Sequence, residues 1–162
     1  MVFVLDASAL HAVPAACGGV DRCGPFLTDL SAALSAEEIA FCRDTVKELK
    51  ILASGAPHHA WAAAEMKSMW GSEADWANVQ TATNALSAYV DLELLDSECE
   101  MLSVIALCLC LQAGAHEVTV VSEDHHDKPG LASMWTACGV MGLDVCSLDE
   151  FAGVLGLDHH LV

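Results

Sequence analysis

The sequence predicts an α/β domain in which a mostly parallel sheet of four to five strands is covered by helices on both faces. Short apolar, β-branched runs recur at residues 2–6, 39–42, 118–122 and 143–146. Each is followed within a few residues by a helical pattern or a capping residue. The connections are short, and repeated strand–helix units of this kind give parallel strands that must be buried on both sides.

Taken in order, residues 2–6 (VFVLD) read as a strand ending in Asp6, and Ser8 can cap a helix that breaks at Gly18-Gly19. Pro25, suited to a first helical turn, opens a helix to about Leu34. The strand at residues 39–42 leads to a helix over roughly residues 46–53, stopped by Gly55-Ala56-Pro57. Residues 58–90 carry Ala-rich helical patterns split at Gly71-Ser72, with Ser72 and Asp75 marking a fresh start. Residues 91–95 alternate polar and apolar, as a strand near a sheet edge does. Ser97 begins a helix that ends at Gly114, read as a C′ glycine. Because residues 98–112 are apolar nearly all round, that helix is expected against the sheet or at a subunit interface. Residues 118–122 form the next strand, and Pro129 starts a helix ending near Gly139. Residues 143–146 form the last strand, and Ser147 and Glu150 cap the terminal helix. Without an internal repeat or linker, residues 1–162 read as one domain.

Composition narrows the function classes. A chain of 162 residues, 54% hydrophobic, can bury a real core. Its longest apolar run, residues 101–111, is interrupted by Ser103 and is too short to span a bilayer. No basic stretch precedes the first apolar run, which holds Asp6, so a signal peptide is not expected and a cytoplasmic, membrane-free protein is. Acidic side chains outnumber basic ones 23 to 6, for a net charge of -17. Such a surface repels nucleic acid at long range and suits a basic protein partner. Arg43, Lys47 and Lys50 share one face of a helix, as a solvated face offsetting nearby acids or as a phosphate-steering stripe. The eight cysteines include no C-x-x-C pair and read as buried free thiols; Cys17 and Cys23, in a Gly-rich loop, are the pair worth a redox test.

Four acids recur at similar places. Asp6 ends the first strand, Glu48 lies in the first turn after the second, Glu100 opens the apolar helix, and Asp124 follows the strand that ends at Ser122. In a parallel sheet these points converge on the carboxyl edge, where binding crevices form. Carboxylates gathered there repel one another, and a divalent cation is the usual remedy. Oxygen-only ligands favour Mg²⁺ or Mn²⁺. Each acid also has a plainer reading. Thr45-x-x-Glu48 and Ser97-x-x-Glu100 match capping boxes, Asp6 can cap the next helix, and Asp124 can start an Asx-turn.

At these residues the chain resembles the PIN-domain family. VFVLDASAL is similar to that family's N-terminal block, a strand ending in aspartate with Ser or Thr two residues on. RDTVKEL, SECEMLSVIAL and VTVVSEDHHD resemble its later acid-bearing segments, in order, between residue 2 and about residue 155. The resemblance implies a three-layer α/β/α sandwich and a metal-dependent endoribonuclease, many members being toxins of toxin–antitoxin pairs. It makes Asp6, Glu48, Glu100 and Asp124 the catalytic, metal-binding quartet, with Asp127 as auxiliary metal-binding acid. Ser8 and Ser122 become hydrogen-bonding partners of the acids. Glu98 competes with Glu100 for the third position, and residues 56–90 stand as a helical insert. Arg43, Lys47, Lys50, His125 and His126 are the side chains expected near RNA.

The chemistry implied is attack of a metal-bound water on a phosphodiester of an RNA substrate. A second reading keeps the fold with a weak or silent metal site, as a docking module for a basic protein such as an antitoxin. Zinc hydrolysis ranks third: His58-His59, His125-His126 and His159-His160 are adjacent pairs, and no H-x-x-x-H or H-E-x-x-H appears. A phosphoaspartyl receiver ranks fourth, since no D-x-D follows Asp6 and no lysine ends a late strand. The apolar helix and exposed Trp61, Trp70 and Trp76 leave a homodimer open.

Overall fold

The computed structural model of the chain describes residues 1–67, 69–70, 73–89 and 99–162. Among the described residues, four strands, β1 (Val2–Leu5), β2 (Ile39–Ala40), β3 (Val118–Val121) and β4 (Asp144–Cys146), pair in the order β2-β1-β3-β4. All three pairings are parallel, and Leu5 lies level with Val121, which lies level with Cys146. The carboxyl ends of three strands therefore meet on one edge.

Period-two alternation sends neighbouring strand residues into two different cores. Phe3, Leu5, Ile39, Phe41 and Val121 enter one, with α1 (Ala7–Ala16), α2 (Gly24–Ser35) and α8 (Leu148–Leu155). Val2, Val4, Ala40, Cys42, Val118 and Val120 enter the other, with α5 (Trp76–Leu86), α6 (Glu100–Ala113) and α7 (Met134–Met141). Burial on both faces explains why β1 reads as an unbroken apolar run, and the architecture is the three-layer α/β/α sandwich. Phe3 and Phe151 meet edge to face at 5.1 Å in the first core, tying α8 to the sheet.

Residues 43–65 form α3 (Arg43–Ala53) and α4 (Pro57–Glu65), whose Leu49 and Ala62 join the first core, whereas α5 packs on α6 in the second. The helical stretch at residues 56–90 is thus divided between the two layers. That division accounts for the all-round apolarity of α6, which meets the sheet on one side and α5, α3 and α7 on others. Intramolecular packing alone buries most of the helix.

Several boundaries differ from expectation. Helix α3 starts at Arg43, three residues early, because extended Cys42 is its N-cap. Asp6, not Ser8, caps α1. Pro129-Gly130 does not start a helix; it forms a turn closed by reciprocal Lys128–Leu131 backbone bonds of 2.9 and 3.0 Å. Gly130 supplies the φ of 75°. Ser133 then caps α7. After α6 the left-handed residue is Ala115, φ 64°, while Gly114 keeps φ -79°. Asp75 does cap α5, and Ser147 with Glu150 forms the expected capping box. Residues 91–95, Gly71, Ser72, Ser97 and Glu98 lie outside the described residues.

Cysteines 17 and 23 are buried free thiols. Burial pushes both pKa values up, which leaves them protonated and unreactive. Trp61 is half-buried and donates to Ser31, Trp70 is half-buried against His116, and only Trp76 of the three is exposed. Among the described residues no helix is long and apolar enough to cross a membrane.

His58, at the start of α4, is 3% exposed, and among the described residues neither ring nitrogen has a hydrogen-bond partner. Burial first, and the neighbouring His11 and His59 next, depress its pKa below the ordinary 6.5. The folded state therefore refuses a proton that the unfolded chain accepts, and stability is lost as pH falls below 6.5. His58→Leu is expected to be neutral or to stabilise by up to about 1 kcal/mol at pH 7.5, since no hydrogen bond is broken. Its advantage should grow at pH 5.5. Urea denaturation at both pH values checks this; a clear destabilisation at both would mean that the ring is bonded.

Candidate functional site

The chain leaves β1 toward β2 on one side and returns to β3 on the other. The carboxyl ends of β1 and β3, where that reversal occurs, are the usual position of a site in an open parallel sheet. Asp6 is the first residue beyond β1, only 2% exposed. Its Oδ1 accepts from Ser8 Oγ at 2.7 Å and from the Ala9 N–H at 2.8 Å, and its Oδ2 from Ser122 Oγ at 2.5 Å. Ser122 is the first residue beyond β3. The two serine oxygens lie 3.2 Å apart and accept the N–H groups of Glu123 and Asp124, at 2.8 and 3.1 Å. One hydroxyl network thus joins the two strand ends around a buried carboxylate.

Glu100 arrives from the opposite layer. Apolar α6 must lie against the sheet, so its first residue is delivered to the carboxyl edge. There Glu100 Oε1 accepts the Ala7 N–H at 2.6 Å, and the buried Thr45 hydroxyl, 3.2 Å from Cys42 Sγ, joins it in opposing the rise of the Glu100 pKa. Burial, then the charge of Asp6, raises the Glu100 pKa to about 8, with Glu48 contributing in the same direction. Burial likewise raises Asp6 to about 6 against the opposing bonds from Ser122, Ala9 and Ser8, and Asp124 adds to the rise. Two carboxylates that resist joint ionisation leave a position where positive charge is favoured.

Glu48 and Asp124 act on this pair through their charges. Asp124 Oδ2 also accepts the Met134 N–H at 3.0 Å, tying it to the start of α7. Exposed Asp127 accepts the Ser133 N–H at 2.8 Å, and that bond first of all lowers its pKa. The Thr45 capping box does not describe Glu48, and Ser97, the cap of the other box, lies outside the described residues. Thr45 lies inside α3, whose N-cap Cys42 makes no side-chain cap bond, and Glu100 reaches across the fold to Ala7.

Of the basic side chains, Arg43 pairs with Glu73 at 3.6 Å and Lys47 with Asp44 at 2.8 Å, while Lys50 is exposed. The charge-offsetting reading of that face holds for the first two. His125 and His126 are exposed; the His125 ring lies 4.7 Å from that of Trp135, and its Nε2 is 3.3 Å from Glu123 Oε2.

Sequence reading missed three contributors. Thr45 carries a hydroxyl for Glu100, and its T-x-x-E spacing pointed to a local cap instead. Trp135 donates Nε1–H to the Ser122 carbonyl at 3.1 Å, and Glu123 Oε1 accepts the Leu148 N–H at 2.7 Å, anchoring α8. No local pattern marks either role.

The donor set is all oxygen and carries raised carboxylates, which fits a hard cation such as Mg²⁺ or Mn²⁺. Asp6 and Glu100 would hold it, with Asp124 and Glu48 flanking. The quartet is a loose array: among the described residues, three ligand atoms come within 4.8 Å of one another at Asp29, His159 and His160 instead. A recess lined by Leu34, Ser35, Glu37, Glu65, Met69 and Trp70 shares no residue with the acids. In comparisons with known proteins, the chain matches no family model and no curated protein sequence.

Proposed function

We propose that the chain is a cytoplasmic, Mg²⁺- or Mn²⁺-dependent endoribonuclease of PIN type, acting as the toxin of a toxin–antitoxin pair. The observation that carries this reading is the meeting of Asp6 and Glu100 at the strand switch point, both pKa values raised. Asp6 and Glu100 would hold the cation, which would supply Lewis acidity for activating water and offsetting phosphoryl charge. The chain's own residues prepare the site. Ser8, Ser122 and the Ala9 N–H fix the Asp6 carboxylate in one orientation, and the Ala7 N–H fixes Glu100. Burial withholds water from Asp6, which strengthens any charge interaction it makes.

The test is Mn²⁺-dependent cleavage of single-stranded RNA by the purified chain and by the Asp6→Asn, Asp124→Asn double variant. Cleavage is expected from the parent and abolished in the variant. Equal cleavage by both would reject the assignment.

A second reading, a docking module for a basic protein partner, draws on different observations. Asp124 and Glu100 already satisfy backbone N–H groups, and Arg43 and Lys47 are paired with acids. Few cations then remain for RNA, while the net charge of -17 favours a basic partner. Calorimetric titration separates the two, because absence of Mn²⁺ binding at millimolar concentration favours docking.

A further inference from the structure

We propose that Asp29, His159 and His160 form a zinc-binding site, separate from the acidic crevice, that clips the chain's last turn to α2. One ligand atom from each side chain lies within 4.8 Å of the others. Asp29 projects from α2, and the two histidines from a single 3-10 turn, Asp158–His160, that follows α8.

The turn is held in place independently of these side chains. The Leu157 N–H donates to Ala152 at 2.7 Å, the His160 N–H to Leu157 at 3.1 Å, and the Val162 N–H to Ala16 at 2.9 Å. Edge-on packing of His160 against buried Phe26, at 6.1 Å and 85°, orients its ring. The backbone therefore presents the donors without prior ordering by a metal.

A second feature concerns the tautomer. His159 Nδ1 lies 2.9 Å from the Gly156 carbonyl, which can only accept, so Nδ1 carries the proton. Nε2 is left as a lone-pair donor. A carbonyl that fixes one imidazole nitrogen so that the other can bind metal is the usual support of a histidine ligand. His160 Nε2 lies 2.7 Å from Asp29 Oδ2, and the two imidazole centroids lie 3.9 Å apart with their planes tilted by 41°.

Two imidazoles and one carboxylate select zinc over Mg²⁺ or Mn²⁺. Zinc bonds of about 2.0–2.2 Å place tetrahedral ligands roughly 3.3 Å apart. Rotation of exposed His159 and half-exposed Asp29 can supply the contraction from 4.8 Å. Three protein ligands leave the fourth position to water.

The experiment is competition for Zn²⁺ against a chromophoric chelator, using the full chain, His159→Ala and Asp29→Asn. The parent should bind one zinc ion at this site with micromolar or tighter affinity. Each substitution should weaken binding at least about tenfold. Zinc affinity should be unchanged in the Asp6→Asn, Asp124→Asn variant and in His125→Ala, His126→Ala, which removes another exposed histidine pair. Circular dichroism in zinc-free buffer checks that the variants remain folded, as expected for surface positions. No micromolar zinc binding by the parent, or parental affinity in both His159→Ala and Asp29→Asn, would overturn the proposal.

Discussion

Glu100→Gln is expected to stabilise the fold at pH 8 by on the order of 2–4 kcal/mol while removing RNA cleavage. The unfolded glutamate ionises near 4.5 and the folded one near 8, so across that window the folded state holds a proton that the unfolded chain has released. Stability of the parent therefore falls as pH rises from about 4.5 to 8. Each pKa unit corresponds to about 1.4 kcal/mol, and partial exposure of Glu100 argues for less than the full shift. Glutamine keeps an oxygen for the Ala7 N–H and carries no charge. Below about pH 4.5 the two proteins should converge. General self-repulsion from the acidic surface has the same sign but is nearly common to both chains, so it largely cancels in the difference. Guanidinium denaturation at pH 8 and pH 4.5 provides the measurement; equal stability at pH 8 would remove the case for a strained carboxylate. Added Mn²⁺ should narrow the gap by stabilising the parent alone, which separates a metal ligand from a merely buried acid.

Position 6 should distinguish folding from chemistry. Asp6→Ala is expected to be less stable than Asp6→Asn by about 2–3 kcal/mol, with both lacking cleavage. Asparagine can keep the cap on the Ala9 N–H and the bond from Ser8, and its amide can face Ser122 Oγ, which also accepts. Alanine leaves all three partners without that group, and Ser122 is fully buried. Because both variants lose the buried charge, its relief drops out of the comparison. Identical urea midpoints would show that the hydroxyl network contributes little to folding. Cleavage by folded Asp6→Asn would instead displace Asp6 from the proposed chemistry.

Local signals succeeded where one residue type suffices for one local geometry. The run VFVL is a strand wherever it is buried on both sides, and Ser147 with Glu150 needs only its own helix to form a capping box. They misled where several residues could do the same job. Pro129 suits a helix start and also a Pro-Gly turn, and Ser133, with Asp127 and Asp124 bonding the first N–H groups, decided for the later start of α7. Thr45-x-x-Glu48 satisfied a cap pattern, yet extended Cys42 placed the helix start three residues earlier and freed Thr45 to meet Glu100.

The α/β class and the placement of Asp6 and Ser122 at strand ends follow from sequence alone, because apolar periodicity and strand termini are properties of neighbouring residues. The contacts that give those residues chemistry do not. Glu100 reaches Ala7 across 93 positions, Ser122 reaches Asp6 across 116, and His160 reaches Asp29 across 131. Such pairs form because strand order and helix packing bring distant segments together, and no local pattern encodes that proximity. Burial also comes from the assembled layers, so the raised pKa values of Asp6 and Glu100 are tertiary properties. Sequence proposed four acids converging on one sheet edge; the assembled layers buried Asp6 and Glu100 there within reach of each other's charge.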